Sequence, residues 1–248
     1  MRNNFVVYDI QTFTIKYSIK TNQDELHSII QLSNEQLITI GKSSFQIWNN
    51  DYKSEALISG LKKHYRKIIE ISNKKLIAYT YGLITVFTEG LVELKTIFLK
   101  QDNCKTIIKG KEEIIVLFST GEIVLDLYDI NTFENTKTIL SKSNINSNYI
   151  DIIQLNEERV LIVNMNLQYF EIINIKTGEY ETMIKQYQKY TYPLNTSFVN
   201  IDNSKLLFTS RGFLFEFNLE LYSIRTKDYI QMKYLKIFGF KQKIIVFY

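Results

Sequence analysis

Residues 28–50, SIIQLSNEQLITIGKSSFQIWNN, return in outline as KIIEISNKKLIAYTYGLITVFTE at residues 67–89. A repeated phrase of this kind constrains the fold more than composition does, because each copy is a supersecondary unit that buries its apolar face only against its neighbours. Aligned on the first apolar pair, five copies appear: Ile29-Ile30, Ile68-Ile69, Ile107-Ile108, Ile152-Ile153 and Phe198-Val199. Their spacings of roughly 39, 39, 45 and 46 residues fall near the ~40–45 of a propeller blade.

A second apolar pair follows each first one after a polar turn: Leu37-Ile38, Leu76-Ile77, Ile114-Ile115, Val160-Leu161 and Leu206-Leu207. The turns read SNEQ, SNKK, GKEE, NEER and DNSK, rich in residues that bond their own backbone or accept positive φ, which is hairpin chemistry. Further on comes an apolar, mostly aromatic residue and then a short polar one: Trp48-Asn49, Phe87-Thr88, Tyr128-Asp129, Ile173-Asn174 and Phe217-Asn218. A polar turn and an alternating segment such as TKTIL or YETMI complete the unit. Each copy therefore reads as four short strands. The first two are continuous apolar runs suited to burial on both faces, and the last has one wet face. β-Branched and aromatic residues dominate, Pro occurs only at 193, and no stretch carries a 3.6-residue apolar period, so the chain reads as all-β. Trp48 reads as a core residue, since Phe87, Tyr128 and Phe217 stand at its equivalents.

SFQIWNN, IVLDLYDINT and NFVVYDIQT resemble the ending of the third strand in WD40 repeats, and the four-strand unit resembles a WD40 blade, or a quinoprotein-like one, across essentially the whole chain. The resemblance implies a repeat β-propeller. The family's Gly-His pair is reduced to a histidine in ELHSII and KKHYRKII, and the Asp before the third strand is absent. The blades are accordingly expected to rest on apolar packing.

The chain ends carry half-units. Residues 4–19, NFVVYDIQTFTIKYSI, match only third and fourth strands, while residues 233–248, KYLKIFGFKQKIIVFY, match only first and second. Joined, they make one blade, giving about six four-stranded antiparallel blades closed by pairing N-terminal with C-terminal strands and so without open edges. The expected organisation is a single domain over 1–248, with units at about 25–62, 66–101, 105–141, 150–185, 196–230 and the composite 233–248 plus 1–20. A fragment of a longer propeller is the competing reading.

Function classes narrow by exclusion. Cys104 is the sole cysteine, and His27 and His64 stand in separate segments, so no disulfide, zinc site or other metal site is expected. No phosphate loop or dinucleotide fingerprint occurs, and no cofactor is expected. Glu112-Glu113 and Glu157-Glu158 fall in hairpin turns, where carboxylates are solvated rather than catalytic. The positions just before each first strand, His27, Arg66, Lys105, Asp151 and Ser197, hold one acid against several bases, which is no cation cage. The chain is read as not an enzyme. No apolar run approaches the ~20 residues of a membrane helix, and MRNNFVVYDIQTF turns polar too early for a secretory signal, so a cytoplasmic, or nuclear, location is expected.

The net charge of +4 permits an acidic partner. The segment LKKHYRK, with Lys62, Lys63, His64, Tyr65, Arg66 and Lys67, is the candidate contact site, joined by Lys105 and by the loop of Lys185, Tyr187, Lys189, Tyr190 and Tyr192. Basic groups among exposed tyrosines suit a carboxylate or phosphate, which arginine grips at two points. A solvated lysine-rich loop is the bland alternative. The expected function is a non-catalytic scaffold for protein-protein interaction, through an acidic or phosphorylated segment of the partner. The rivals are a channel-centred small-ligand binder or enzyme, which metal analysis would expose, and a nucleic-acid or acidic-surface binder, which would be held on heparin in a salt-sensitive way.

Overall fold

The structure is a computed structural model and describes residues 4–9, 14–71, 74–119, 122–140, 150–164, 169–185, 198–202, 205–210, 213–218, 223–229, 236–240 and 243–247. Among these the regular elements are all strands. They are β1 (Asn4–Asp9), β2 (Ile15–Lys20), β3 (Leu26–Gln31), β4 (Leu37–Gly41), β5 (Ser44–Trp48), β6 (Ser54–Ser59), β7 (Lys67–Glu70), β8 (Lys75–Thr80), β9 (Leu83–Thr88), β10 (Glu93–Phe98), β11 (Cys104–Lys109) and β12 (Glu113–Ser119). They continue with β13 (Ile123–Asp129), β14 (Asn135–Leu140), β15 (Ile150–Gln154), β16 (Arg159–Asn164), β17 (Tyr169–Asn174), β18 (Tyr180–Lys185), β19 (Phe198–Asp202), β20 (Lys205–Ser210), β21 (Phe213–Asn218), β22 (Ser223–Tyr229), β23 (Lys236–Phe240) and β24 (Lys243–Phe247).

Five four-stranded antiparallel sheets use consecutive strands, β3–β6, β7–β10, β11–β14, β15–β18 and β19–β22. A further sheet has the order β2-β1-β24-β23, with Val6 opposite Val246 and Val7 opposite Ile245. The chain divides into two compact units, Met1–Leu61 with Lys189–Tyr248, and Lys62–Gln188.

Where side-chain burial is described, the strands of a sheet differ as their patterns require. The second strand is sealed on both faces: Leu37, Ile38, Leu76, Ile77, Ile114, Ile115, Val160 and Leu161 are all buried. The outer strand is largely wet, and Phe98 at the end of β10 is 80% exposed. First strands are intermediate. Ile68 is 1% exposed and its neighbour Ile69 9%, and Ile152 is buried where Ile153 is only partly so, because alternate side chains point to opposite faces.

Packing between sheets is apolar and local. In the unit Lys62–Gln188, Ile115, Leu117, Leu125 and Ile139 of one sheet pack with Ile152, Val160, Ile162 and Ile173 of the next. In the other unit Phe5 and Val7 of β1 pack with Leu26, Ile29 and Trp48, and Phe5 meets the Trp48 ring edge-on at 5.4 Å between centroids.

In the four copies whose following turn is described, the short polar residue after the apolar position proves to be a turn organiser. Asn49 Oδ1 accepts the N–H groups of Asp51 and Lys53, and Asp129 Oδ1 accepts those of Asn131 and Thr132. Asn174 Oδ1 likewise accepts from Lys176 and Thr177, and Thr88 Oγ1 accepts from Val92. A side-chain acceptor at the very end of the third strand, or one residue past it for Asn49, mimics a backbone turn and starts the return to the fourth strand. For Asp129 these N–H donors, Thr132 first and Asn131 next, hold the carboxyl below its ordinary value.

Apolar packing alone does not describe the sheets, which corrects the sequence expectation. A polar side chain lies buried at mid-strand on β5, β9, β13 and β17: Gln46, Thr85, Asp126 and Glu171. Gln46 donates to Ser54 Oγ at 2.8 Å, Thr85 accepts from Tyr65, and Asp126 accepts from Thr138 Oγ1 at 2.6 Å. Trp48 adds to this set, donating Nε1–H to Thr39 Oγ1 at 2.9 Å.

Candidate functional site

LKKHYRK lies between β6 and β7, and its side chains divide by depth. Lys62 and His64 are exposed. Lys63 is drawn inward, donating to Thr96 Oγ1 at 2.8 Å, to Glu93 Oε1 at 3.1 Å and to Thr85 Oγ1 at 3.4 Å. Tyr65 is buried, with its hydroxyl on Thr85 Oγ1 at 3.0 Å and its ring edge-on to Phe87 at 5.6 Å. An exposed Tyr65 was expected, and the structure corrects this. The ring is the largest apolar surface in the segment, and Thr85 offers its hydroxyl a buried acceptor. Gln23, in the segment before β3, behaves in the same way, donating to Thr39 O, Ser44 O and Ser44 Oγ. Entry segments thus insert a polar side chain over the sheet they lead into.

Arg66 and Lys67 emerge beyond this anchor. The Arg66 backbone N–H bonds Tyr79 O at 2.9 Å, which fixes where β7 begins. Its guanidinium carbon lies 3.7 Å from the centroid of the Tyr81 ring, within cation–π range. Tyr81 is the exposed tyrosine of the site, at 58%, and it occupies the two-residue turn between β8 and β9. Gly82, the other turn residue, has φ +69°, and a Cβ there would meet Asp102 Oδ1 at 2.7 Å, so the turn that presents Tyr81 requires glycine. Neither Tyr81 nor Tyr79 stood among the sequence candidates. The pairing of an aromatic with a glycine in a tight turn was the available signal.

The starts of β7 and β11 are tied side by side. Tyr79 is buried on β8 and donates its hydroxyl to the backbone oxygen of Lys105, while Lys67 Nζ donates to Thr106 Oγ1 at 3.2 Å. Burial holds the Tyr79 hydroxyl protonated, with smaller pushes from Cys104 and Asp151. Cys104 is buried and its thiol is pushed up to about 12 by that burial, against the opposing pull of Arg66, Lys67 and Lys105. Lys105 is half-buried, and burial first and the Arg66 charge second lower its pKa. Asp151 accepts the N–H of Ile152 at 2.9 Å.

The structure therefore brings together Arg66, Lys67 and Lys105, with Lys62 and His64 on the same segment. Lys185 ends β18. Tyr187, Lys189, Tyr190 and Tyr192 lie outside the described residues. Among the described residues no group of three or more His, Cys, Asp or Glu side chains could hold a metal ion, and no helix is long and apolar enough to cross a membrane.

No protein-family profile matches the sequence, and no curated protein matches it. Solved structures do resemble it. Hydrazine synthase of Kuenenia stuttgartiensis, a β-propeller-containing protein, superposes with a TM-score of 0.69 over 88% of this chain and 71% of that one, at 11% identity. Identity that low speaks to fold alone, and with the repeated four-stranded sheets it gives the chain a propeller-like architecture.

Proposed function

We propose that the chain is a six-bladed, WD40-like propeller, closed by the sheet β2-β1-β24-β23, which acts in the cytoplasm or nucleus as a non-catalytic scaffold for another protein. The docking surface in this reading is the segment of Lys62, Arg66 and Lys67 together with Lys105, and the partner presents an acidic or phosphorylated stretch. One observation carries it. Among the described residues Lys16, Lys63, Lys111, Arg159 and Lys176 each pair with a carboxylate, whereas Arg66, Lys67 and Lys105 are held close together with no such pair. Like charges brought together at half-buried positions are unfavourable until an anion joins them. A thiol held protonated by burial supports a binding role over a nucleophilic one.

The test is affinity capture from cell extract with the parent and with a Lys62→Glu, Arg66→Glu, Lys105→Glu variant. Lys63 is left untouched, since reversing it would set a second carboxylate against Glu93 inside the sheet. Partners captured by the parent and lost with the variant, with melting temperatures within a few degrees, are the expected result. The same partners on both proteins would contradict it.

A further inference from the structure

We propose that Arg66, Lys67 and Lys105 form a seat for a phosphate monoester, with the Tyr81 ring fixing the guanidinium from one side. The proposal rests on the scaffold reading for the source of that phosphate, a phosphorylated serine or threonine on the partner.

Three features of the cluster select a dianion over a single carboxylate. The first is charge. Three cations converge on the Cys104 thiol, each close enough to favour its ionised form. The carboxylate on the next first strand, Asp151, is turned back to the N–H of Ile152 and acts on the Tyr79 hydroxyl. The three cations outnumber the nearby carboxylates, Asp151 and the Asp102 group at the Tyr81–Gly82 turn, and a phosphate monoester of about −1.5 to −2 near neutral pH is drawn to that excess more strongly than one carboxylate is.

The second is pre-organisation. The Arg66 backbone is bonded to Tyr79 O, and its side chain lies on Tyr81. Tyr79 is bonded in turn to the backbone of Lys105, and Lys67 is held by Thr106. The rotamer freedom of long cationic side chains is the usual cost of gripping an anion, and here part of it is removed before the ligand arrives. A ring stacked on the guanidinium face leaves its N–H edge to make two parallel bonds to phosphate oxygens.

The third is the environment of Lys105. Burial first and the nearby Arg66 charge next disfavour its ammonium, against a smaller opposing pull from Cys104. A lysine kept only to support the fold would be expected to gain from its surroundings. For Lys105 the net effect is a loss, which a seated anion reverses.

Isothermal titration at low ionic strength tests the seat, using a short Gly/Ser peptide with one phosphoserine, the same peptide unphosphorylated, inorganic phosphate, and adenosine monophosphate. The parent should bind the phosphopeptide about tenfold or more tightly than its unphosphorylated twin, as charge-assisted hydrogen bonds require. Arg66→Gln and Lys105→Met should each abolish that difference, and inorganic phosphate should compete for the peptide on the parent alone. Lys105→Met should melt at or above the parent temperature without anion, a shift that a merely structural lysine would not give. Equal binding of the two peptides, selectivity that survives both substitutions, or preference for the nucleotide would each overturn the proposal. The scaffold reading is judged on partner capture and the seat on phosphate selectivity, so the two can fail separately.

Discussion

Tyr65 spends its hydroxyl on Thr85, the oxygen that also receives Lys63 and neighbours Thr96 Oγ1 at 3.4 Å. Tyr65→Phe removes one donor and leaves the acceptor its other contacts, so chemical denaturation should read a loss of about 1 kcal/mol with the fold intact. Glu93 carries a pH signature from the same network. Its carboxyl is held below the ordinary value by the Thr96 hydroxyl first and the Lys63 ammonium next. A depressed folded pKa contributes stability that is present above the unfolded value, about 4.3, and is lost as pH falls through the folded one. Glu93→Gln should therefore destabilise by under about 1 kcal/mol at neutral pH, the carboxylate being half exposed, and should be nearly silent near pH 2. Urea melts of both proteins at the two pH values check this. The sequence marked Lys63 and Tyr65 as candidates but did not reveal which way they face, because their acceptors lie about 20 to 33 positions away on β9 and β10. It hid the mid-strand polar position for a related reason. Gln46, Thr85, Asp126 and Glu171 share a place in the sheet but not a chemistry, so alignment on apolar pairs passes over them.

Strands of one sheet differ in how much a side chain matters. Ile77 is fully buried on β8, so Ile77→Ala should cost about 2–5 kcal/mol, whereas Phe98→Thr on the outer β10 should stay within about 0.5 kcal/mol despite its size. Thermal melts of the pair would rank the strands, and equal losses would contradict the inner-to-outer gradient. Asn174→Ala removes the acceptor for two turn N–H groups and should cost about 1 kcal/mol. Most of this scale was legible in the sequence. Paired apolar residues gave the sealed second strands, and the aromatic-then-polar signature gave the end of the third strand and the turn after it. What pairing concealed was the asymmetry of the first strand. Two adjacent apolar residues look equivalent in a sequence, but a period of two sends them to opposite faces, Ile68 at 1% exposed and Ile69 at 9%. Ile68→Asp should accordingly reduce folded yield more than Ile69→Asp.

In the molecule as a whole, one sheet, β2-β1-β24-β23, joins the two ends of the chain. Half-units at residues 4–19 and 233–248 made that pairing legible, since neither half can bury its apolar face alone. The candidate contact surface was only partly legible, because Tyr81 and Tyr79 reach Arg66 and Lys105 through tertiary contacts that no local motif encodes. Deleting residues 1–20 would strip β1 and β2 from β24, leaving an open strand edge and an uncovered Trp48, and aggregation on light scattering is the expected outcome. The most direct measurement is a cross-link between the two ends. Val6 and Val246 are antiparallel partners, whose Cα atoms lie about 4.5–5.5 Å apart in such a pair, within reach of a disulfide. Cys104 is buried with its thiol pushed up to about 12, so it does not compete. A Val6→Cys, Val246→Cys variant under mild oxidation should run as a monomer that migrates faster on non-reducing electrophoresis and returns to the parent position on reduction. Thiols that stay free, or disulfides that form only between molecules, would contradict it.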